Sequence, residues 1–277
     1  MSLIITKQSS PKRTNSLTFY LRKLNNAIWF LVAWGLLITF WELFVYLGWL
    51  NGQILPPPSV TIPYAFSGNA AIGFGQQHTS LIESLMVTLM RVSGGLFCGS
   101  AVALVLSISM IELRFCRRLI FPLVQTLAPI SPVAWIPFTI AVIGIGGQAA
   151  IFIVFIAVVT TMTLSFMAAI DGINSQYINI AKNLGCGRWK MWYRVRLPAI
   201  AMSTLTSLRM AFFGAWMAVL AGEMAGINSG LGYMIIMAQQ MFNMPLVMVG
   251  ILTIGFVGFI IDRLLLILGH SLARWGI

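Results

Sequence analysis

Two arginines lie deep inside long apolar stretches of this sequence, at Arg91 and Arg209. A guanidinium stays charged, and turning one toward lipid near the middle of a bilayer is costly. Each must therefore face protein or water. Two chemistries fit. The arginines could meet an anionic ligand, or they could be satisfied structurally by backbone carbonyls or by Glu83 or Glu223. A neighbouring feature bears on the choice. Residues 119–143 contain Pro122, Pro129, Pro132 and Pro137, too many for one continuous helix. Ser131-Pro132 reads as an N-cap followed by proline at the first helical position. A half-helix beginning there would expose its positive end, the arrangement that binds anions in broken transporter helices. Trp135, one turn on, would either line such a path or pack. The candidate pathway residues are thus Arg91, Ser131, Pro132, Trp135, Arg209 and Glu223.

Chemistry of other kinds has little to work with. The two histidines, His78 and His270, are far apart, and no Cys/His cluster has metal-ligand spacing. Cys98, Cys116 and Cys186 suggest no disulfide framework. No two carboxylates lie close in sequence. A phosphate-binding loop needs Lys followed by Ser or Thr, and none of the five lysines qualifies. The chain is expected to be no enzyme and to carry no cofactor; any ATP and magnesium would bind another chain. The Met-rich segment 234–248 reads as adaptable packing rather than a metal relay. Glu42 reads as structural, at the outer end of the first span.

The elements that must position these residues are membrane helices. The chain is 59% hydrophobic, with mean hydropathy +0.92, too apolar for a soluble domain. Residues 119–170 contain no Asp, Glu, Lys or Arg, a run longer than the roughly 20 residues one span needs. The expected fold is an all-α polytopic membrane protein with six spans, near 27–47, 80–110, 119–143, 149–170, 199–221 and 246–268. The second is long enough to tilt or protrude, and its Gly95-x-x-x-Gly99 pair marks a helix contact face. The Pro run in 51–68 cannot be helical. Segment 222–244 is too polar for a full span, and its half from Leu231 would lie at the outer interface or dip in. Leu17, Leu21 and Leu24, beside Arg22 and Lys23, read as an interfacial helix within a cytoplasmic tail, 1–26, that is no cleaved signal.

The net charge of +11 could suggest nucleic acid, but its distribution points to a membrane instead. Basic residues cluster before the first span, at 114–118, at 182–196 and near the C-terminus, alternating with segments that have none. That is the positive-inside pattern, so both termini are expected in the cytoplasm.

One basic cluster does more than orient. Residues 178–198, INIAKNLGCGRWKMWYRVRLP, hold five basic and no acidic residues. The segment parses as a helix over 178–184, a glycine turn, and a second short helix over 188–196 before Pro198 opens the next span. A positive-inside anchor would satisfy the charges alone. A docking surface would also use Trp189, Met191 and Trp192, since aromatic anchors carry much of interface energy.

This stretch resembles the cytoplasmic loop motif of ABC-importer permeases, E-A-A-x-x-x-G followed by a hydrophobic-Leu-Pro. Here it stands as Asn179-Ile180-Ala181-Lys182-Asn183-Leu184-Gly185, closed by Arg196-Leu197-Pro198, with Asn179 and Ile180 replacing the first Glu and Ala. ILPPPS at 54–59, LAPISPVAWIPF at 127–138, LRMAFFGAWMAVLAGE at 208–223, SGLGYMI at 229–235 and TIGFVGFIIDRLL at 253–265 are similar to permeases for nitrate, sulfonate, taurine and bicarbonate. The resemblance implies a type I importer permease, domain 27–277, whose coupling loop, about 171–198, seats in an ATPase. The coupling residues would be Asn179, Ala181, Lys182, Gly185, Arg188, Trp189, Trp192 and Arg194. It implies a second permease chain, two cytoplasmic ATP-binding subunits, an extracytoplasmic binding protein, a bacterial inner membrane, and transport of a small anion by alternating access. Asn179 in place of Glu can supply only a neutral hydrogen bond. The rival class is an autonomous secondary transporter or channel, which would need intramembrane carboxylates as a relay. A structural membrane protein would leave Arg91 and Arg209 without a purpose.

Overall fold

The computed structural model describes residues 16–67, 71–72 and 79–273. It divides into two units, 1–60 and 61–277. In the first, helix α1 (Ser16–Tyr46) is continuous from Ser16, so the stretch holding Leu17, Leu21 and Leu24 is not a separate helix. The rest of the tail, 1–15, lies outside the described residues. Glu42 accepts hydrogen bonds from the Ser59 hydroxyl and amide, the former at 2.8 Å. This ties α1 to the start of α2 (Pro58–Phe66). Pro56 and Pro57 stay outside α2, and Pro58 begins it, where a missing N–H costs nothing.

The second unit holds the bundle. A two-residue antiparallel ribbon, β1 (Ala71–Ile72) with β2 (Thr79–Ser80), leads into α3 (Leu81–Glu112). A capping box starts α3. Glu83 N–H donates to Ser80 Oγ, and Ser80 N–H returns to Glu83 at 2.9 Å. The third span is broken. Helix α4 (Arg114–Leu127) is followed by a 3-10 turn (Pro132–Trp135) and α5 (Ile136–Ile143), bent from α4 by 96°. Pro129 and Pro132 lack the donors a continuous helix would need, and Pro132 holds Ser131 extended, with ψ 135. The expected Ser131 cap is corrected in one respect: its side chain makes no capping bond, and the turn it opens is 3-10.

Helix α6 (Gly147–Asp171) is central, with 56% of its most apolar stretch buried, against 22% for α11 (Met244–Ala273). It packs between α3 and α9 (Leu197–Met224). Gly95 and Gly99 make the close approach possible, because a Cβ at either would overlap Val154 or Val158. Between α6 and α9 lie α7 (Ser175–Asn183) and α8 (Arg188–Met191). Here the expectation of a separate second loop helix is overturned. Residues 188–191 continue through a π-helical segment (Trp192–Arg196) into α9, giving one helix over Arg188–Met224. Pro198 is absorbed because it sits in the first turn of α9, following the wide segment. Helix α10 (Leu231–Gln240) buries Leu231, Met234 and Ala238 against α9 and α11. The apolar side of segment 231–240 meets protein, which suits the alternative in which it dips in rather than lying on the surface.

Five described helices are long and apolar enough to cross a membrane, and six if the bent pair is one span. Among the described residues the architecture is all-helical apart from the short ribbon.

Candidate functional site

The pathway candidates fall in three places. At one end of the bundle Arg91 meets Glu223. Helix α3 carries Thr88 and Arg91 one turn apart, and α9 brings Glu223 to them in its last turn. Arg91 Nη1 lies 2.7 Å from Glu223 Oε1 and also donates to the Ser229 carbonyl at 2.7 Å, while Nη2 donates to Ser229 Oγ. Thr88 Oγ1 lies 2.9 Å from Glu223 Oε2 and accepts from Leu231 N–H. Gly232 N–H donates to the same carboxylate oxygen at 3.0 Å. The Glu223 side chain is 0% exposed and that of Arg91 7%. Gly230, at φ +103, lies against the Glu223 carboxylate, where any Cβ would overlap it. Burying two charges is tolerated when geometry and added hydrogen bonds satisfy both. Here they do, and the result closes the α9–α10 turn onto α3.

About 21 Å along α9, at 1.5 Å per residue, Arg209 faces α11. Its Nε and Nη2 grip Asp262 in a two-bond fork, at 2.8 and 2.9 Å. This pair is less enclosed, with the Arg209 side chain 29% exposed. One flank of Arg209 borders a shallow open groove lined by Met202, Leu205, Thr206, Leu265 and Gly269.

The third place is the broken span. Ser131 is exposed, and Pro132 and Trp135 are half-buried in a turn that packs on α6 and α9. Trp135 stacks edge-on to Phe138 at 5.8 Å, and its indole N–H has no partner among the described residues.

The loop candidates also separate. Asn179, Lys182, Gly185, Arg188, Trp189 and Arg194 are exposed; Ala181 and Trp192 are buried. Helix α7 ends in a Schellman motif. Gly185 at φ +70 donates to Lys182 O, and Cys186 N–H reaches Ala181 O at 3.0 Å. The turn leaves Tyr177, Ile180, Leu184, Trp189 and Tyr193 outward, each more than half exposed. These apolar side chains stand among the exposed charges of Lys182, Arg188 and Arg194. Trp192 turns the other way, into the bundle, where its indole donates to Glu112 at 2.7 Å.

Several residues of these clusters escaped the sequence reading. Asp262 could have been found, as an acid well inside the last span is a functional or paired group by default. Thr88, Ser229 and Glu112 carry no such mark, because their roles come from helices distant in sequence.

Comparison with known proteins identifies the family. Residues 95–274 match the family described as binding-protein-dependent transport system inner membrane component. A Methanocaldococcus jannaschii protein named as an ABC transporter permease is 33% identical over 83% of this chain and 85% of its own. The taurine transport system permease protein of Escherichia coli is 25% identical, covering 87% of each chain. The bicarbonate transport system permease protein of Synechocystis is 27% identical over 82% of this chain and 81% of its own. Among solved structures, the inward-facing MetNI methionine ABC transporter shares the fold. Its TM-score is 0.50 at 22% identity, over 67% of this chain and 94% of that one. The chain belongs to the binding-protein-dependent transport system inner membrane components, the permease subunits of ABC importers.

Proposed function

We propose that this permease carries a small anion of the nitrate, bicarbonate or alkanesulfonate kind, by alternating access driven from a separate ATPase. The observation that carries the anion reading is Arg209. It is half-buried, gripped on one side by Asp262, and open on the other to a groove. A charge held in that way has one partner and room for a second. Arg91 has its hydrogen bonds filled by Glu223 and Ser229, so its share in the pathway is positional. Ser131, Pro132 and Trp135 would border the path where the third span breaks. Relatives named for taurine and bicarbonate support the substrate class.

Family membership supports a reading of the rest of the machine. Two permease chains of this kind, a homodimer, would sit with two ATP-binding subunits on the cytoplasmic side and a binding protein outside. ATP and magnesium would act on the partner chains. The basic segments support a cytoplasmic location for both termini, and family membership supports a bacterial inner membrane; the tail would span 1–26, the permease domain 27–277 and the coupling loop about 171–198. Asn179, Lys182, Gly185, Arg188, Trp189 and Arg194 would meet the ATPase, and Ala181 and Trp192 would hold the loop's shape from within.

Two experiments test this reading. Arg209→Gln should abolish anion uptake while assembly with the ATPase persists; normal uptake sinks the anion site. Replacing the five loop basics by Ala should release the ATPase from the inserted permease. Undiminished co-purification would refute the docking role.

A further inference from the structure

Helix α9 and the coupling loop share one continuous helix, so any displacement of α8 reaches α9 through the backbone. Helix α3 has no such continuity, and its last residue is Glu112. Three groups from the loop side converge on that one carboxylate. Trp192 Nε1 donates at 2.7 Å, Arg196 Nη1 at 3.2 Å, and Arg188 Nε lies 3.2 Å away. Arg196 also stacks on the Trp192 ring, 4.7 Å from its centroid. Trp192 is buried, and the Arg196 and Glu112 side chains are only 18% and 23% exposed. Largely removed from water, these contacts are stiffer than surface pairs. Arg188, at 80% exposed, adds little.

The placement runs against local preference. A carboxylate in the last turn of a helix faces the negative end of the dipole, and Arg188 in the first turn of α8 faces the positive end. Neither residue suits its own helix. Glu112 makes sense as the anchor of a cross-link between helices, to which the exposed Arg188 is a weak addition. The joint also sits at the π-helical segment, and such segments are often found at functional positions.

We propose that Glu112 is a positioning residue that clamps the coupling loop to α3, so that displacement of the loop moves α3 together with α9. The proposal rests on the docking role of the loop and goes beyond it, because it names how the second helix is engaged.

The test uses the permease assembled with its ATP-binding subunits, with Mg-ATP as the only added ligand. Hydrogen–deuterium exchange is followed at residues 107–112 of α3 and at 197–202 of α9, with and without Mg-ATP. In the native complex both segments should respond. Glu112→Gln should keep co-purification and the α9 response, while the α3 response falls about tenfold, within the usual range of coupling between sites. Glu112→Asp should restore part of it. Trp192→Phe, which keeps an aromatic ring and removes the donor, should weaken the α3 response on its own. A full α3 response in Glu112→Gln overturns the clamp, and so does equal loss in both helices, which marks a merely structural role. Trp189→Ala separates the two ideas: it should cost co-purification. If it does not, the docking reading fails while a selective α3 loss in Glu112→Gln still upholds the clamp. Native complexes in which neither helix responds overturn both.

Discussion

Helix α9 carries one member of each of two arginine–carboxylate pairs, and the pairs differ in what surrounds them. Glu223 at its end is sealed, accepting from Arg91, Thr88 and Gly232, while the Ser229 turn takes the other bonds of Arg91. Arg209 near its middle is gripped by Asp262 in a fork, yet keeps a side open to a groove. The same two functional groups therefore do different work. Where all valences are filled inside protein, the pair is a staple. Where one side stays open, the pair is, on the proposed function, a preset charge that a passing anion could share.

Removing charges one at a time tests this difference, and the largest effect should come from the sealed pair. Glu223→Ala leaves Arg91 buried and unpaired and should cost about 3–5 kcal/mol in unfolding stability. Arg91→Met combined with Glu223→Leu should recover much of that, since no buried charge is left. If Glu223→Ala cost no more than Asp262→Ala, the distinction would collapse. Gly230→Ala probes the same staple through the backbone. At φ +103 and against the carboxylate, an added methyl should cost about 1–3 kcal/mol, read as a lowered Tm. Asp262→Asn keeps shape but removes charge, and should cost about 1–2 kcal/mol while sharply changing anion uptake. A larger loss of stability than of uptake would make the second pair another staple. Arg117→Ala is the control. That pair with Asp171 spans 2.6 Å but is nearly half exposed, and its loss should cost under about 1 kcal/mol.

Much of this was legible from sequence because membranes simplify the problem. Apolar length marked the spans, proline content marked the broken one, and Gly95 with Gly99 marked the face that α6 occupies. The glycine turn of the loop was also readable, since only a residue tolerant of positive φ suits Gly185 there. Partners were harder. Glu223 was a candidate for Arg91, but Asp262 lies 53 positions from Arg209 and Glu112 lies 80 from Trp192. Such choices depend on how helices register against each other, which periodicity does not encode. Trp189 and Trp192 look alike in sequence, yet one faces outward and the other Glu112. Segment 231–240 stayed open between two readings for a related reason: its apolar side suits lipid and protein equally.

The π-helical segment at 192–196 fixes an angular relation as well as a contact. A π-turn contains one residue more than the α-turn it replaces, and each helical residue advances the chain by about 100°. Deleting one residue there would leave a helix of regular α pitch, short only of the bond that Pro198 cannot donate. It would also swing Trp189 and the whole outward face around the axis by more than a quarter turn. The phase of the loop against the bundle thus depends on keeping one residue that helical regularity alone would discard.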